Sequence, residues 1–275
     1  MKQFTQHYNH RSFFNKFFKV DDTFIKSESN LIFRDILINF LIENSLVSED
    51  FNNLENLHNE ILDKSVLDYE LDTGINELTR LLYNIDTQDS YYEFLHFLKG
   101  ELDFDFYFQD TPTFRIHAPG VRNWNEAYPR WHTDCNFGHP PDELNIWITL
   151  TDNEHTGFYM MTKQDSTDWF EEYDFNNERY SENVFKYGNK KCDWNDRGFK
   201  SAYEVESKID SIYLFDSLCI HTAIPMIDET RISIDIRINP VDEFVDGYIG
   251  TGNTGAEFWP GGYHGYHKNS IGEFK

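Results

Sequence analysis

One stretch near the C-terminal end alternates strictly between polar and isoleucine side chains, from Arg231 to Ile238. Because successive side chains of a β-strand point to opposite faces, the stretch predicts a strand with one apolar and one polar face. We expect the isoleucines to pack against helices. We expect the polar residues to face an interior, where polar groups are costly unless they pair with one another or hold a ligand. These polar residues are Arg231, Ser233, Asp235 and Arg237.

The apolar pattern changes its period at about residue 104. Before that point, four segments repeat at helical spacing, with Ser48 as a predicted N-cap of the second and a capping box at Ser90–Glu93 in the fourth, which Gly100 closes. The segments are Leu31–Leu41, Phe51–Leu62, Ile75–Ile85 and Ser90–Leu98. After that point the period is two, which indicates strands. These strands are Thr113–His117, Asn145–Leu150, Ser211–Phe215 and Arg231–Ile238.

Helices followed by many short strands predict an α+β chain, mainly β, in which an antiparallel jelly roll carries an N-terminal helical region on one sheet. We expect one domain over residues 1–275. It comprises helical support at 1–103, a core at 104–245 and a Gly- and aromatic-rich tail at 246–275. A poorly periodic stretch at about 163–201 is expected to be an insertion, and a lid is one interpretation of it. The G-x-G-x-x-G at 250–255 is expected to be a loop, because no helix pattern follows it.

The charge and cysteine content exclude several classes of partner and setting. A formal net charge of −24 repels phosphate backbones and anionic lipid, so we expect neither a nucleic-acid nor a membrane partner. The three cysteines form no disulfide framework, and the N-terminal residues do not match a secretory signal, so we expect a cytoplasmic protein. The oligomeric state cannot be read from the sequence.

A second pattern joins two distant segments. His132-Thr133-Asp134 places an imidazole and a carboxylate on one side of a strand, and His221 follows 87 positions after Asp134. Two imidazoles and one carboxylate, with three positions left open, form the facial triad of non-haem iron(II) oxygenases. We therefore predict that His132, Asp134 and His221 bind a metal, although a buried histidine is more often a hydrogen-bonded core residue than a ligand. The rival histidines are His117, whose strand offers no carboxylate, and His139 and His155, which are expected in turns.

Arg231 and Ser233 lie ten and twelve residues beyond His221, on one side of the alternating strand. A guanidinium and a hydroxyl so placed can bind the distal carboxylate of a dicarboxylate. Arg237 is the reserve anchor. An ion pair of Asp235 with Arg231 or Arg237 would account for part of the same set without any ligand.

These motifs resemble the Fe(II)/2-oxoglutarate-dependent dioxygenases of the double-stranded β-helix (cupin-like) fold. The nearest branch is that of phytanoyl-CoA-hydroxylase-like and streptomycin-biosynthesis-oxygenase-like proteins. The resemblance covers roughly residues 110–240, and the helical first hundred residues carry no matching motif. Its segments are Trp131–Asp134, Gly138–Trp147, His221 and Thr230–Arg237.

The resemblance implies an enzyme with Fe(II) at the triad and 2-oxoglutarate held by Arg231 and Ser233. It implies hydroxylation of an unactivated C–H bond by O2, with release of succinate and CO2; desaturation, epimerisation and cyclisation are alternatives. Asp134 argues against halogenation, since related halogenases have Ala or Gly there. A non-catalytic jelly roll that senses a metal or an anion is the alternative of another class.

The substrate is expected to be a small metabolite or natural-product intermediate. Asn145 and Thr149 are expected to line the cosubstrate pocket, whereas Trp147 fits either the pocket or the core. An anionic substrate would suit a local group of arginines, although salt bridges with surface carboxylates explain them as well. The candidate substrate residues are Arg115, His117, Arg122, Trp124, Arg130, Trp147 and Arg237.

Overall fold

The computed structural model describes residues 21–70, 75–109, 112–123, 131–134, 143–152, 157–172 and 198–240. Within these ranges helices precede strands, and the chain is a mixture of helices and antiparallel sheets. The α-helices are α1 (Ser29–Glu43), α2 (Leu57–Glu60), α3 (Glu77–Leu81), α4 (Gln88–Leu102) and α5 (Lys163–Glu172). Short 3₁₀ turns lie at Leu54–Asn56, Lys64–Leu67 and Leu82–Asn84. No helix in the described part of the chain is long and apolar enough to cross a membrane.

The strands form two antiparallel sheets. They are β1 (Asp22–Lys26), β2 (Phe106–Phe108), β3 (Thr113–His117), β4 (Leu144–Thr149), β5 (Phe158–Met160), β6 (Tyr203–Val205), β7 (Ser211–Asp216), β8 (His221–Ala223) and β9 (Arg231–Pro240). The larger sheet has the order β1-β7-β4-β9-β2, and β3 also pairs with β9. The smaller sheet has the order β6-β5-β8.

Strand β9 is the strand on which the larger sheet is organised, since it pairs with β2, β3 and β4. Its isoleucines are fully buried and share one apolar core with α1 and α4, as the alternation predicts. The opposite face of the larger sheet packs against the smaller sheet through mainly aromatic side chains. This second cluster contains Trp147, Phe158, Met160, Val205, Tyr213, Phe215 and Cys219.

The four predicted strands are confirmed to within two residues at each end, but several helix predictions are wrong in detail. The second predicted helix is only a 3₁₀ turn followed by the single turn α2, and Asn53 rather than Ser48 caps it. Ser90 and Gly100 lie inside α4, which ends at Asp103 in the left-handed region (φ 54°). Strand β1 was not predicted, and it borders β7.

Helix α1 shows how a polar residue replaces part of an apolar stripe. Leu31 and Ile32, which begin the first predicted helical segment, are 51% and 46% exposed. The buried residue is Asn30, whose amide donates to the carbonyls of Thr149 (2.9 Å) and Ser211 (3.0 Å). It thereby ties α1 to one end of β4 and of β7.

Glu55 joins the helices to the start of β9. Its carboxylate accepts two hydrogen bonds from the Arg34 guanidinium (2.7 and 2.8 Å) and one from the Asp152 amide (2.8 Å). Its carbonyl accepts from the Thr230 amide (2.7 Å), directly before Arg231. Burial raises the pKa of Glu55, but these hydrogen bonds outweigh it and bring the pKa below the ordinary value of 4.5.

We expect Glu55→Gln to lower the free energy of unfolding by about 1–3 kcal/mol at pH 7, because Arg34 then loses its charged partner. A depressed pKa stabilises the fold above the unfolded pKa, and this contribution disappears as pH falls through the folded pKa. Urea unfolding at several pH values should therefore show the deficit shrinking below about pH 4.5. The control is Asp210→Asn, which breaks an exposed pair with Lys26 and should change little. A deficit that is constant with pH would contradict this role for the Glu55 charge.

Candidate metal centre

His132 and His221 are joined directly through their backbones. The His132 amide donates to the His221 carbonyl (3.1 Å), and the His221 amide donates to the His132 carbonyl (2.9 Å). Directly opposed residues of an antiparallel pair project to the same face, and the two imidazole centroids are 4.4 Å apart. This bridge brings two residues 89 positions apart in the sequence to one point beside β8.

Asp134 completes a group of three side chains that could hold a metal ion. Its Oδ1 lies 4.0 Å from His132 Nε2 and 3.8 Å from His221 Nε2. One ligand atom from each residue lies within 4.8 Å of the others. Among the described residues, this is the one group of three His, Cys, Asp or Glu side chains that is close enough to share a metal ion.

Neighbouring groups orient two of the three ligands. His221 Nδ1 lies 3.0 Å from the Cys219 carbonyl, which can only accept, so Nδ1 carries the proton and Nε2 offers its lone pair. The Arg237 Nε donates to Asp134 Oδ2 (3.0 Å), while Oδ1 is the oxygen nearer both imidazoles. Two imidazole nitrogens and one carboxylate oxygen are a donor set that suits iron(II).

Arg237 lies beside the candidate metal ligands, whereas it was predicted to bind the cosubstrate or the substrate. Its Nε is also 3.7 Å from Glu143 Oε1, and its side chain is 13% exposed. Burial lowers the pKa of Arg237, but the carboxylates of Asp134, Glu143 and Asp235 outweigh this effect and raise the pKa above its ordinary value. The guanidinium is therefore charged at every pH at which the protein is folded.

Arg231 and Ser233 lie on the same face of β9 as Arg237, at the other end of the strand, and both are buried. Arg231 is paired in register with His117 of β3, and Ser233 with Arg115 of β3 and Thr149 of β4. A polar row of side chains thus runs along this face of β9 from Arg231 to Arg237. Arg237, at the far end of the row, is hydrogen-bonded to Asp134.

His117 is buried beside Arg231, and its Nδ1 lies 2.7 Å from the Tyr69 hydroxyl. Burial, then the charges of Arg231 and Arg115, hold the pKa of His117 well below 6.5, so its ring is neutral. His117 is not part of the metal-binding group. The other rivals, His139 and His155, lie outside the described residues.

The predicted arginine cluster is mostly paired with carboxylates. Arg115 donates to Asp235 (3.0 Å), so the alternative ion pair of Asp235 is made with β3 rather than with Arg231 or Arg237. Arg122 donates to Asp68 (2.6 Å) at the surface. Trp124 and Arg130 lie outside the described residues.

The three candidate pocket residues of β4 have different surroundings. The Thr149 hydroxyl donates to the Thr151 carbonyl (2.9 Å) and lies 2.7 Å from Ser207 Oγ. Trp147 packs edge-on against Phe158 at 5.3 Å, as its core interpretation expects. Asn145 is 3% exposed, pairs in register with Arg237, and neither atom of its amide has a hydrogen-bond partner among the described residues.

An aromatic cluster beside His132 was not predicted. Trp131 packs against Trp169 of α5 (6.5 Å), Phe199 (5.3 Å) and Tyr159 (6.4 Å). Gly198 approaches it so closely that an added Cβ would lie 2.3 Å from the indole. Trp169 and Phe199 lie near the two described ends of the predicted insertion. Both ends therefore pack on Trp131, which directly precedes His132. Only the density of aromatic residues around 159–169 and 199 hinted at this in the sequence.

Comparisons with known proteins give one short match in sequence and several in structure. No protein-family model matches the chain. The streptomycin biosynthesis protein StrG of Streptomyces griseus is 41% identical over 73 residues, which cover 26% of this chain and 35% of that protein. The matched part thus spans about a third of the relative.

Several solved structures are similar to this chain. SnoK, a non-heme alpha ketoglutarate dependent carbocyclase from nogalamycin biosynthesis, has a TM-score of 0.40 at 12% identity and covers 84% of this chain and 85% of its own. EctD from S. alaskensis with 2-oxoglutarate and 5-hydroxyectoine has 0.41 at 12%, covering 82% and 74%. The epimerase SnoN, also from nogalamycin biosynthesis, has 0.39 at 12%, covering 86% and 88%. Since all three TM-scores are below 0.5, these likenesses do not decide the activity of this chain.

We expect His221→Ala to weaken binding of Co(II) or anaerobic Fe(II) by more than about 100-fold, because even residues that only orient a metal ligand contribute about 10- to 100-fold. Isothermal titration with the metal alone measures this loss. The matched control is His96→Ala, which removes an exposed imidazole of α4 and should bind metal as the wild type does. Equal metal affinity of His221→Ala and wild type would show that the three side chains are not a metal site.

Proposed function

We propose that this chain is an Fe(II)- and 2-oxoglutarate-dependent dioxygenase that hydroxylates an unactivated C–H bond of a small metabolite or natural-product intermediate. The observation that carries the proposal is the bridge between His132 and His221, which gathers two imidazoles and the Asp134 carboxylate at one point. In this proposal Fe(II) is held by these three side chains. Bound iron and 2-oxoglutarate would together supply the activation of O2, with succinate and CO2 as by-products.

The strand order supports a double-stranded β-helix within a single domain. From β3 to β9 the chain passes back and forth between the sheets, with β5 and β6 as its one consecutive pair of described strands in the same sheet. Strands β3, β4, β7 and β9 lie in the larger sheet, and His132, β5, β6 and β8 lie in or beside the smaller. Eight strand positions shared between two facing sheets are the pattern of a jelly roll. The helices and the larger sheet share one core, which supports one domain rather than two.

Charge balance supports a dianionic cosubstrate. Among the described residues, the inner face near the site carries three guanidinium groups, of Arg115, Arg231 and Arg237, and three carboxylates, of Asp134, Glu143 and Asp235. A buried divalent cation would leave two positive charges uncompensated, which a low-dielectric interior penalises. The dicarboxylate 2-oxoglutarate cancels both. Arg231 and Ser233 are the groups that we assign to its distal carboxylate, because a buried guanidinium binds a carboxylate with two charge-assisted hydrogen bonds.

The chain's own residues also supply the exclusion of water. Phe158 and Phe215 lie edge-on to the His221 ring at 6.1 and 5.2 Å, and Met160 is fully buried in the same cluster. An apolar wall of this kind strengthens the electrostatic interactions of the polar row on β9. Asn145, whose amide is buried beside Arg237, is assigned to a polar group of the cosubstrate or the substrate.

The substrate is proposed to be a small molecule that reacts with O2 at this site. Arg115 and Arg122, the two described arginines of the group that would suit an anionic substrate, are paired with Asp235 and Asp68, so they do not favour an anion over a neutral molecule. Desaturation, epimerisation and cyclisation would use the same ligands, and mass analysis of the product distinguishes them from insertion of one oxygen atom.

We expect the protein with Fe(II), O2 and 2-oxoglutarate to form succinate, and Arg231→Met to raise the KM for 2-oxoglutarate by at least about 100-fold. Two charge-assisted hydrogen bonds, each worth about 1.5–3 kcal/mol, would be lost. Metal affinity should stay unchanged in this variant, since Arg231 is not a ligand. Arg80→Met, which removes an arginine paired with Glu70 outside the site, is the control.

Succinate assays with and without candidate metabolites give the decisive result. Metal and 2-oxoglutarate binding without succinate formation under any condition would favour a non-catalytic sensor. Equal KM values for Arg231→Met and wild type would show that Arg231 is not the anchor.

A further inference from the structure

Asp134 has two oxygens in two different settings. Oδ1 is the atom within 4.0 Å of both imidazole Nε2 atoms, whereas Oδ2 accepts the hydrogen bond from Arg237 Nε at 3.0 Å. The side chain of Asp134 is 3% exposed, so little space is left for the carboxylate to turn.

Arg237 also forms an ion pair with a second buried carboxylate. Glu143 Oε1 lies 3.7 Å from the same Nε, and the Glu143 side chain is fully buried. Arg237 belongs to β9, the strand that pairs with β2, β3 and β4, so its backbone position is set by the centre of the larger sheet. Asp134 belongs to the segment beside the smaller sheet. The hydrogen bond therefore crosses between the two sheets.

We propose that Arg237 is a positioning residue that restricts Asp134 to one metal-binding oxygen. This inference rests on the proposed function, since it concerns the same metal site. With one oxygen, the three side chains occupy three positions of an octahedral ion and leave three, which is the number that 2-oxoglutarate and O2 need together. A carboxylate that is released from Arg237 can bind through both oxygens, as carboxylates do with several cations, and it then competes for a position.

Two substitutions separate this role from a general loss of charge. Arg237→Gln and Arg237→Met both remove the guanidinium, but the glutamine amide nitrogen stands where the arginine Nε stands and can still donate to Oδ2. Methionine has a methyl group at that position. We expect both variants to bind Co(II) with an affinity within about threefold of each other, because Oδ1 and the two imidazoles are retained in both.

The affinity for 2-oxoglutarate should then differ between the two variants. We expect Arg237→Met to bind 2-oxoglutarate in the anaerobic Fe(II) protein about 10- to 100-fold more weakly than wild type, and Arg237→Gln to recover most of this loss. The visible band that forms when 2-oxoglutarate joins Fe(II) is the readout. Arg80→Met, which removes a guanidinium bound to Glu70 outside the site, is the control and should keep wild-type affinity for both the metal and 2-oxoglutarate.

The outcomes are separable. Wild type without a metal signal or without the band would overturn the proposed function, and this inference with it. Two other results would overturn the positioning role alone, provided that the wild type binds both the metal and 2-oxoglutarate. One is an equal affinity of Arg237→Met and Arg237→Gln for 2-oxoglutarate. The other is a variant that loses as much affinity for the metal as it loses for 2-oxoglutarate. Should Arg237→Met not fold, a crystal structure of the wild type with Mn(II) decides. The inference requires Asp134 to bind through Oδ1 only, and binding through both oxygens contradicts it.

Discussion

The pair of backbone hydrogen bonds between His132 and His221 is the interaction on which the site depends. Each histidine belongs to a segment that is short and has little regular structure of its own: β8 has three residues, and His132 forms only an isolated bridge. Side-chain attraction cannot hold them together, because two imidazoles and a carboxylate gain little from one another without a cation. The backbone bridge fixes the spacing of the donors in advance, so a metal need not organise them.

The larger sheet supplies the second constraint. Its strand β9 uses one face for the helix-packed core and the other for charged groups, so the residues that stabilise the fold and those that serve the site alternate along the same strand. Arg115 and Arg237 are mostly buried on this charged face, where Arg115 pairs with Asp235 and Arg237 pairs with Asp134 and Glu143. Buried charges that are paired in this way contribute little to stability, but removing one partner is costly. Each of these charges therefore needs its partner to remain buried.

The sequence predicted those features in which a single local rule dominates. Strand β9 was predicted from its strict alternation of polar and apolar residues. His132, Asp134 and His221 were predicted as metal ligands because few residue types bind metals. Short strands such as β5 and β8 carry too few residues for any period, and β1 is a five-residue strand that lies directly before helix α1. The hydrogen bond of Arg237 to Asp134 joins residues 103 positions apart in different sheets, so it depends on three-dimensional register that no local pattern records. The same holds for the packing of Trp131 on α5.

We propose that His132, Asp134 and His221 form a single centre with the polar row of β9, in which the metal and the dicarboxylate bind together. Anaerobic native mass spectrometry of the full chain measures this directly, because it counts bound species. The expected result is one iron per chain and one 2-oxoglutarate that appears only on the iron-loaded protein, since the metal supplies part of the binding site. Binding of 2-oxoglutarate to the metal-free chain at the same concentration, or absence of bound iron, would contradict the claim.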